Sequence, residues 1–178
     1  KLMQSCPLLV LLQTLCFAVG LVTIEPNPEP CMSTNDNNGY NKFLSKHVCK
    51  DTPMDTNLDE WQKFFNKHKA LCNQNRLTQS FLRYRDKSRI ENVCTTKGGK
   101  IYMENLCISN HTFSFITVRL YSSCKIRNAT RESKHIILAC DKVNNVCRPV
   151  HFERNQSDRR PNRKAPGCYY HPPASGVP

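Results

Sequence analysis

Apolar and polar positions follow two different rhythms along this chain, and the rhythm changes near Thr78. In YNKFLSKHV, Tyr40, Phe43, Leu44 and His47 recur at three- and four-residue intervals, which predicts a short helix with His47 on its apolar stripe. NLDEWQKFFNKHKALC repeats that rhythm with Leu58, Trp61, Phe64, Phe65 and Leu71, and Asn57 stands where a side-chain oxygen caps a helix start. From Thr78 on, short β-rich runs (FSFITVRLY, KHIILAC, NVCRPVHF) are separated by Gly, Asn and charged turns. Helices first and antiparallel strands after them is the order of an α+β fold.

The flanks have no apolar period. Residues 21–39 and 154–178 are rich in Pro, Asn and Asp, the second with added Arg and Lys, so both are expected as flexible tails around one domain over residues 40–153. Residues 1–20 open with a charge, run apolar and end in small residues, the pattern of a secretory signal peptide cleaved after Gly20. An uncleaved anchor is the competing reading. No later stretch is apolar enough to span a bilayer, and stable membrane insertion is not expected.

A leader changes the reading of the cysteines. The chain has 11, and removal of Cys6 and Cys16 leaves nine. With three glycosylation sequons, at Asn110, Asn128 and Asn155, they point to the oxidising secretory route, so disulfides are expected and localisation is extracellular. Zinc ligation calls for close pairs such as C-x2-C, and the sequence has none; neither metal nor cofactor is expected. An odd count leaves one cysteine free, capped or joined to another molecule. The formal net charge of +12 adds an attraction to polyanions, whether single-stranded RNA, glycosaminoglycan or an anionic cell surface.

Two histidines stand out against this background: His47 on the first helix and His151 in the last strand. YNKFLSKH, the spaced Cys72, Cys94, Cys124 and Cys140, KHIILAC and PVHFE, taken in order, resemble the pancreatic-type ribonuclease (ribonuclease A) superfamily over residues 40–153; ENLCIS locally resembles its angiogenin branch. The resemblance implies a disulfide-braced α+β fold, with N-terminal helices on a twisted antiparallel sheet. It also implies cleavage of single-stranded RNA 3′ of pyrimidines through a 2′,3′-cyclic phosphate, by a monomer needing no metal.

In that scheme His47 matches the general base and His151 the general acid, and imidazole suits both tasks because it titrates near neutrality. The family's catalytic lysine follows a cysteine, but here the chain reads CNQNRLTQSF. Counting forward from Cys72 puts Asn73 in its place; counting back from QSF puts Arg76 there. The tether at Cys72 favours Asn73, which carries no charge, and weak activity is then expected. Ser80 matches the hydroxyl that reads a pyrimidine edge, Phe152 is expected behind His151, and Glu153 matches a carboxylate that orients it. Lys42 and Lys46 flank the phosphate side.

The resemblance also pairs Cys72 with Cys124 and Cys94 with Cys140. A third family bridge is missing at both ends, near Trp61 and Val118. Pairing of Cys31, Cys49, Cys107, Cys147 and Cys168 is left open. His68 is a weaker candidate base, because its distances to Cys72 and QSF fit the family less well. A second function class stays open beside the enzyme: a catalytically impaired cationic secreted protein that binds cells, microbes or a receptor.

Overall fold

The structure is a computed structural model and describes residues 27–72 and 76–169. The expected leader, Asn73 and the end of the basic tail lie outside the described residues.

Among the described residues, three α-helices precede or punctuate a five-stranded antiparallel sheet. Helix α1 spans Gly39–His47 and α2 spans Leu58–Lys67, followed by strand β1, Thr78–Leu82. A short α3, Lys87–Asn92, then leads to β2 (Gly99–Met103), β3 (Leu106–Leu120), β4 (Ile126–Val143) and β5 (Val146–Glu153). The sheet order is β1-β3-β4-β5, with β2 paired to the other end of β3. FSFITVRL and KHIILAC lie inside two much longer strands, and only Tyr121 of the first run falls beyond its strand. Sequence periodicity misses α3, because six residues make less than two turns and cannot display a repeat.

Local chemistry explains the helix starts and ends. Asn57 Oδ1 accepts from the backbone N–H groups of Asp59 (3.0 Å) and Glu60 (3.2 Å), as its position predicts. The carboxylates of Asp59 and Glu60 fall in the first turn, where they complement the helix dipole. At the end of α3 the backbone runs so close to β2 that a Cβ on Gly99 would lie 2.1 Å from the Val93 carbonyl oxygen, so only glycine fits.

Two apolar clusters hold these elements together. Phe43 of α1, Ile90 of α3, Phe113, Phe115, Leu138 and Phe152 form one of them. Trp61, Phe64 and Phe65 of α2 pack with Phe81, Ile116 and Val118 in the other. Trp61 and Val118, where the expected third bridge is missing at both ends, are both fully buried in this second cluster. Apolar packing therefore replaces a covalent link between α2 and the sheet.

Among the described residues, four disulfides brace the fold. Cys72–Cys124 and Cys94–Cys140 are joined, and two further bridges link Cys31 with Cys147 and Cys107 with Cys168. Cys49 is the free cysteine among the described residues. The two added bridges correct the expectation of loose flanks. Cys31 ties residues 27–39 to β5, aided by the Cys31 N–H to Cys140 carbonyl bond of 2.7 Å and a Ser33–Lys142 bridge. Cys168 ties the basic segment to β3, and Lys100 of β2 pairs with Gly167. Polar, Pro-rich composition denies these segments a core of their own, but a covalent anchor needs none.

Candidate active site

The site lies where the end of α1, the start of β1 and the end of β5 meet. His47 is the last residue of α1, and the helix turns its ring inward until it is 5% exposed. Its Nδ1–H donates to the Ser80 carbonyl oxygen at 2.8 Å, which leaves the Nε2 lone pair as the reactive face. Burial lowers the pKa from 6.5 to about 3; the Ser80 bond opposes that shift, and the charges of Arg76, His151 and Lys46 add to it. The ring is therefore neutral at physiological pH.

Arg76 stands two residues before β1 and points its Nη2 at His47 Nε2, 3.4 Å away. Partial burial lowers its own pKa, yet it stays a cation. His47, Arg76 and His151 together line two adjoining hollows of ≈ 510 and ≈ 470 Å³. The first continues along Thr78, Gln79 and Ser80; Lys42, Lys46 and Asp36 line the second.

His151 is an exposed residue of β5, and its Nε2 lies 3.5 Å from Glu153 Oε2. Residues two apart on a strand share a face, so the carboxylate flanks the imidazole. Phe152, expected behind His151, belongs to the other face. Its ring stacks on His47 (centroids 5.4 Å apart, planes at 25°) and meets Phe115 edge-on. Strand alternation makes this unavoidable: adjacent residues cannot share a face.

Beside His47 a smaller hollow of ≈ 270 Å³ is lined by Ser80, Phe115, Thr117 and Phe152, and walled by Arg154, Asn155 and Gln156. Ser80 Oγ and Thr117 Oγ1 are 2.9 Å apart and share a hydrogen bond. A hydroxyl pair of this kind can rotate to present either a donor or an acceptor. Thr117 is absent from the sequence reading, though its register opposite Ser80 could have suggested it.

Lys42 is bound to Asp36 at 2.9 Å, a carboxylate brought there by the segment that Cys31 anchors. Lys46 faces solvent. His68 sits elsewhere, bonded to Asp51 at 2.9 Å on the outer side of α2. The three sequons differ: Asn110 and Asn128 are partly exposed, whereas Asn155 is buried and its amide is fully used. Its Nδ2 donates to the His135 (2.9 Å) and Arg159 (2.8 Å) carbonyl oxygens, and its Oδ1 accepts from Arg159 N–H. A glycan on Nδ2 would displace one of these two donated bonds. The one metal-like cluster among the described residues, Cys107, Cys140 and Cys168, consists of disulfide sulfurs and offers no thiolate.

No protein-family model matches the chain. Angiogenin of Oryctolagus cuniculus is 30% identical over 146 residues, covering 79% of this chain and 89% of the relative. Angiogenin of Equus caballus is 30% identical over 158 residues, covering 86% and 96%. Among solved structures, green turtle egg white ribonuclease superposes with a TM-score of 0.51 at 22% identity, covering 65% of this chain and 97% of its own. Zebrafish RNase5 gives 0.50 at 26% identity, with 66% and 93% covered. SS-RNase-2 des116-120 gives 0.50 at 24%, with 65% and 93% covered.

Proposed function

Since the chain belongs to the pancreatic-type ribonuclease superfamily, we propose that it is a secreted endoribonuclease that cleaves single-stranded RNA 3′ of pyrimidines. The observation that carries this reading is the pairing, in one cleft, of a neutral buried imidazole and an exposed imidazole flanked by a carboxylate. One ring is placed to accept a proton and the other to give one up.

His47 Nε2 takes the proton from the ribose 2′-hydroxyl, whose oxygen then attacks the adjacent phosphorus. The bond to the 5′-oxygen breaks as His151 gives that oxygen a proton, and a 2′,3′-cyclic phosphate remains. Water, activated by the roles in reverse, opens the ring. Arg76 supplies the positive charge that offsets the negative charge building on the phosphoryl oxygens, and this replaces the family's lysine. Its contact with His47 favours it over Asn73. Phe152 holds the His47 ring flat against the core, and Glu153 orients His151.

The hollow at Ser80 and Thr117 receives the base. Its size and aromatic wall suit one pyrimidine ring. Because both proton transfers run through imidazole, turnover survives EDTA. Four disulfides fit an oxidising, extracellular setting. The test is incubation of a single-uridine oligonucleotide with the purified protein in EDTA. The expected product ends in a 2′,3′-cyclic phosphate 3′ of the uridine; intact substrate, or a product formed only with added metal, overturns the reading.

A further inference from the structure

A further concavity of ≈ 450 Å³, which shares no lining residue with the hollows of the candidate active site, is lined by Lys100, Asn110, His135, Arg160, Pro161 and Arg163. We propose that it is a binding site for a sulfated polysaccharide chain, separate from the catalytic cleft and built by the C-terminal segment.

The segment is held at both ends, so its arginines are presented on a fixed wall. Asn155 clamps the start through His135 and Arg159. At the other end, Cys168 is bonded to Cys107, Ile101 N–H donates to the Pro166 carbonyl (3.1 Å), and Cys168 N–H donates to the Gly99 carbonyl (3.0 Å). Pro161 stiffens the middle. Cations ordered before binding lose less freedom when a ligand arrives.

The charge is one-sided. Residues 154–164 carry Arg154, Arg159, Arg160, Arg163 and Lys164 against a single acid, Asp158. Among the described residues, Lys100, Arg160 and Arg163 form no ion pair with any carboxylate. His135 donates Nδ1–H to the Ser109 carbonyl at 2.8 Å, and among the described residues its Nε2 has no partner. Two guanidinium forks and an ammonium around one concavity match sulfate or phosphate oxygens.

Sulfated sugar is favoured over nucleic acid by what the hollow lacks. Its wall has no Phe, Tyr or Trp on which a base could stack, whereas the base hollow has Phe115 and Phe152. Single-strand binding draws on such platforms for about 1–3 kcal/mol per base. A chain whose anionic groups come without bases loses nothing here. Asn110 heads a sequon on the same wall, so the unglycosylated form leaves the hollow open.

The experiment titrates a labelled heparin dodecasaccharide into unglycosylated full-length protein and follows fluorescence anisotropy. Arg160→Ala/Arg163→Ala should weaken binding about tenfold or more, the equivalent of a lost charge-assisted contact. Lys125→Ala/Arg127→Ala removes the same charge from exposed positions and should change little. Lys100→Ala, on β2, gives an independent loss should the double variant fold poorly. Equal losses in the two double variants would mean diffuse attraction and overturn the proposal. So would an uncleavable single-stranded deoxyoligonucleotide that depends on Arg160 and Arg163 as strongly as the saccharide does. RNA cleavage by the Arg160/Arg163 variant should match the parent, which separates this site from the catalytic one.

Discussion

The guanidinium of Arg76 lies 3.4 Å from His47 Nε2, the atom left bare when Nδ1–H is donated to Ser80. A cation placed there destabilises protonated His47 and is positioned for the phosphate that His47 helps to activate. Both effects follow from one contact, and they separate experimentally.

Arg76→Ala should lower turnover by ~10²–10³, as loss of one preorganised donor does, while Arg76→Lys restores part of it. Asn73→Ala should leave turnover close to the parent. Steady-state cleavage of a uridine-containing dinucleotide measures both, and the opposite pattern would hand the role to Asn73.

His47→Ala and His151→Ala should each lose ~10²–10⁴ in turnover, and His68→Ala almost nothing. Near-ultraviolet circular dichroism checks that each variant keeps its packing. Dead His68→Ala enzyme with an intact fold would move the base to α2.

The pH dependence carries a sign. A histidine whose folded pKa is about 3 and whose ordinary value is 6.5 binds fewer protons folded than unfolded between those limits. Stability from this group is complete above 6.5 and is lost as pH falls toward 3. Urea unfolding of His47→Gln should therefore show a flatter decline between pH 6.5 and 4 than the parent. The acid limb of kcat/KM should fall well below 6.5, and Arg76→Ala should move it upward.

Peptide mapping without reduction should recover Cys31–Cys147, Cys72–Cys124, Cys94–Cys140 and Cys107–Cys168. Cys49, half-buried and with its pKa pushed up to about 11, should alkylate slowly at neutral pH. Cys49→Ser should cleave RNA as the parent does.

Asn155 should carry no glycan in protein from a secretory host, read by mass spectrometry of the tryptic peptides. Asn155→Ala should destabilise the fold by about 1–3 kcal/mol, because it strands the part-buried carbonyls and N–H that the amide now serves.

The chain's rhythm alone specified α1 and α2 and the β-rich half, because helix and strand periods are local properties of neighbouring residues. The order of YNKFLSKH, four cysteines and PVHFE was enough to identify the family, and with it two bridges. Other features depended on distant segments meeting. Phe152 stacks on His47 because the sheet brings β5 under α1, and nothing near Phe152 in sequence encodes that. Arg76 reaches His47 from a loop whose two possible registers the sequence weighed toward Asn73, by the tether at Cys72. The flanks looked free because their composition supports no core, yet Cys31 and Cys168 find partners on β5 and β3. Periodicity records what a residue's neighbours can form; which residues close a cleft, a bridge or a charged hollow is fixed only when separations of tens of residues collapse to a few ångströms.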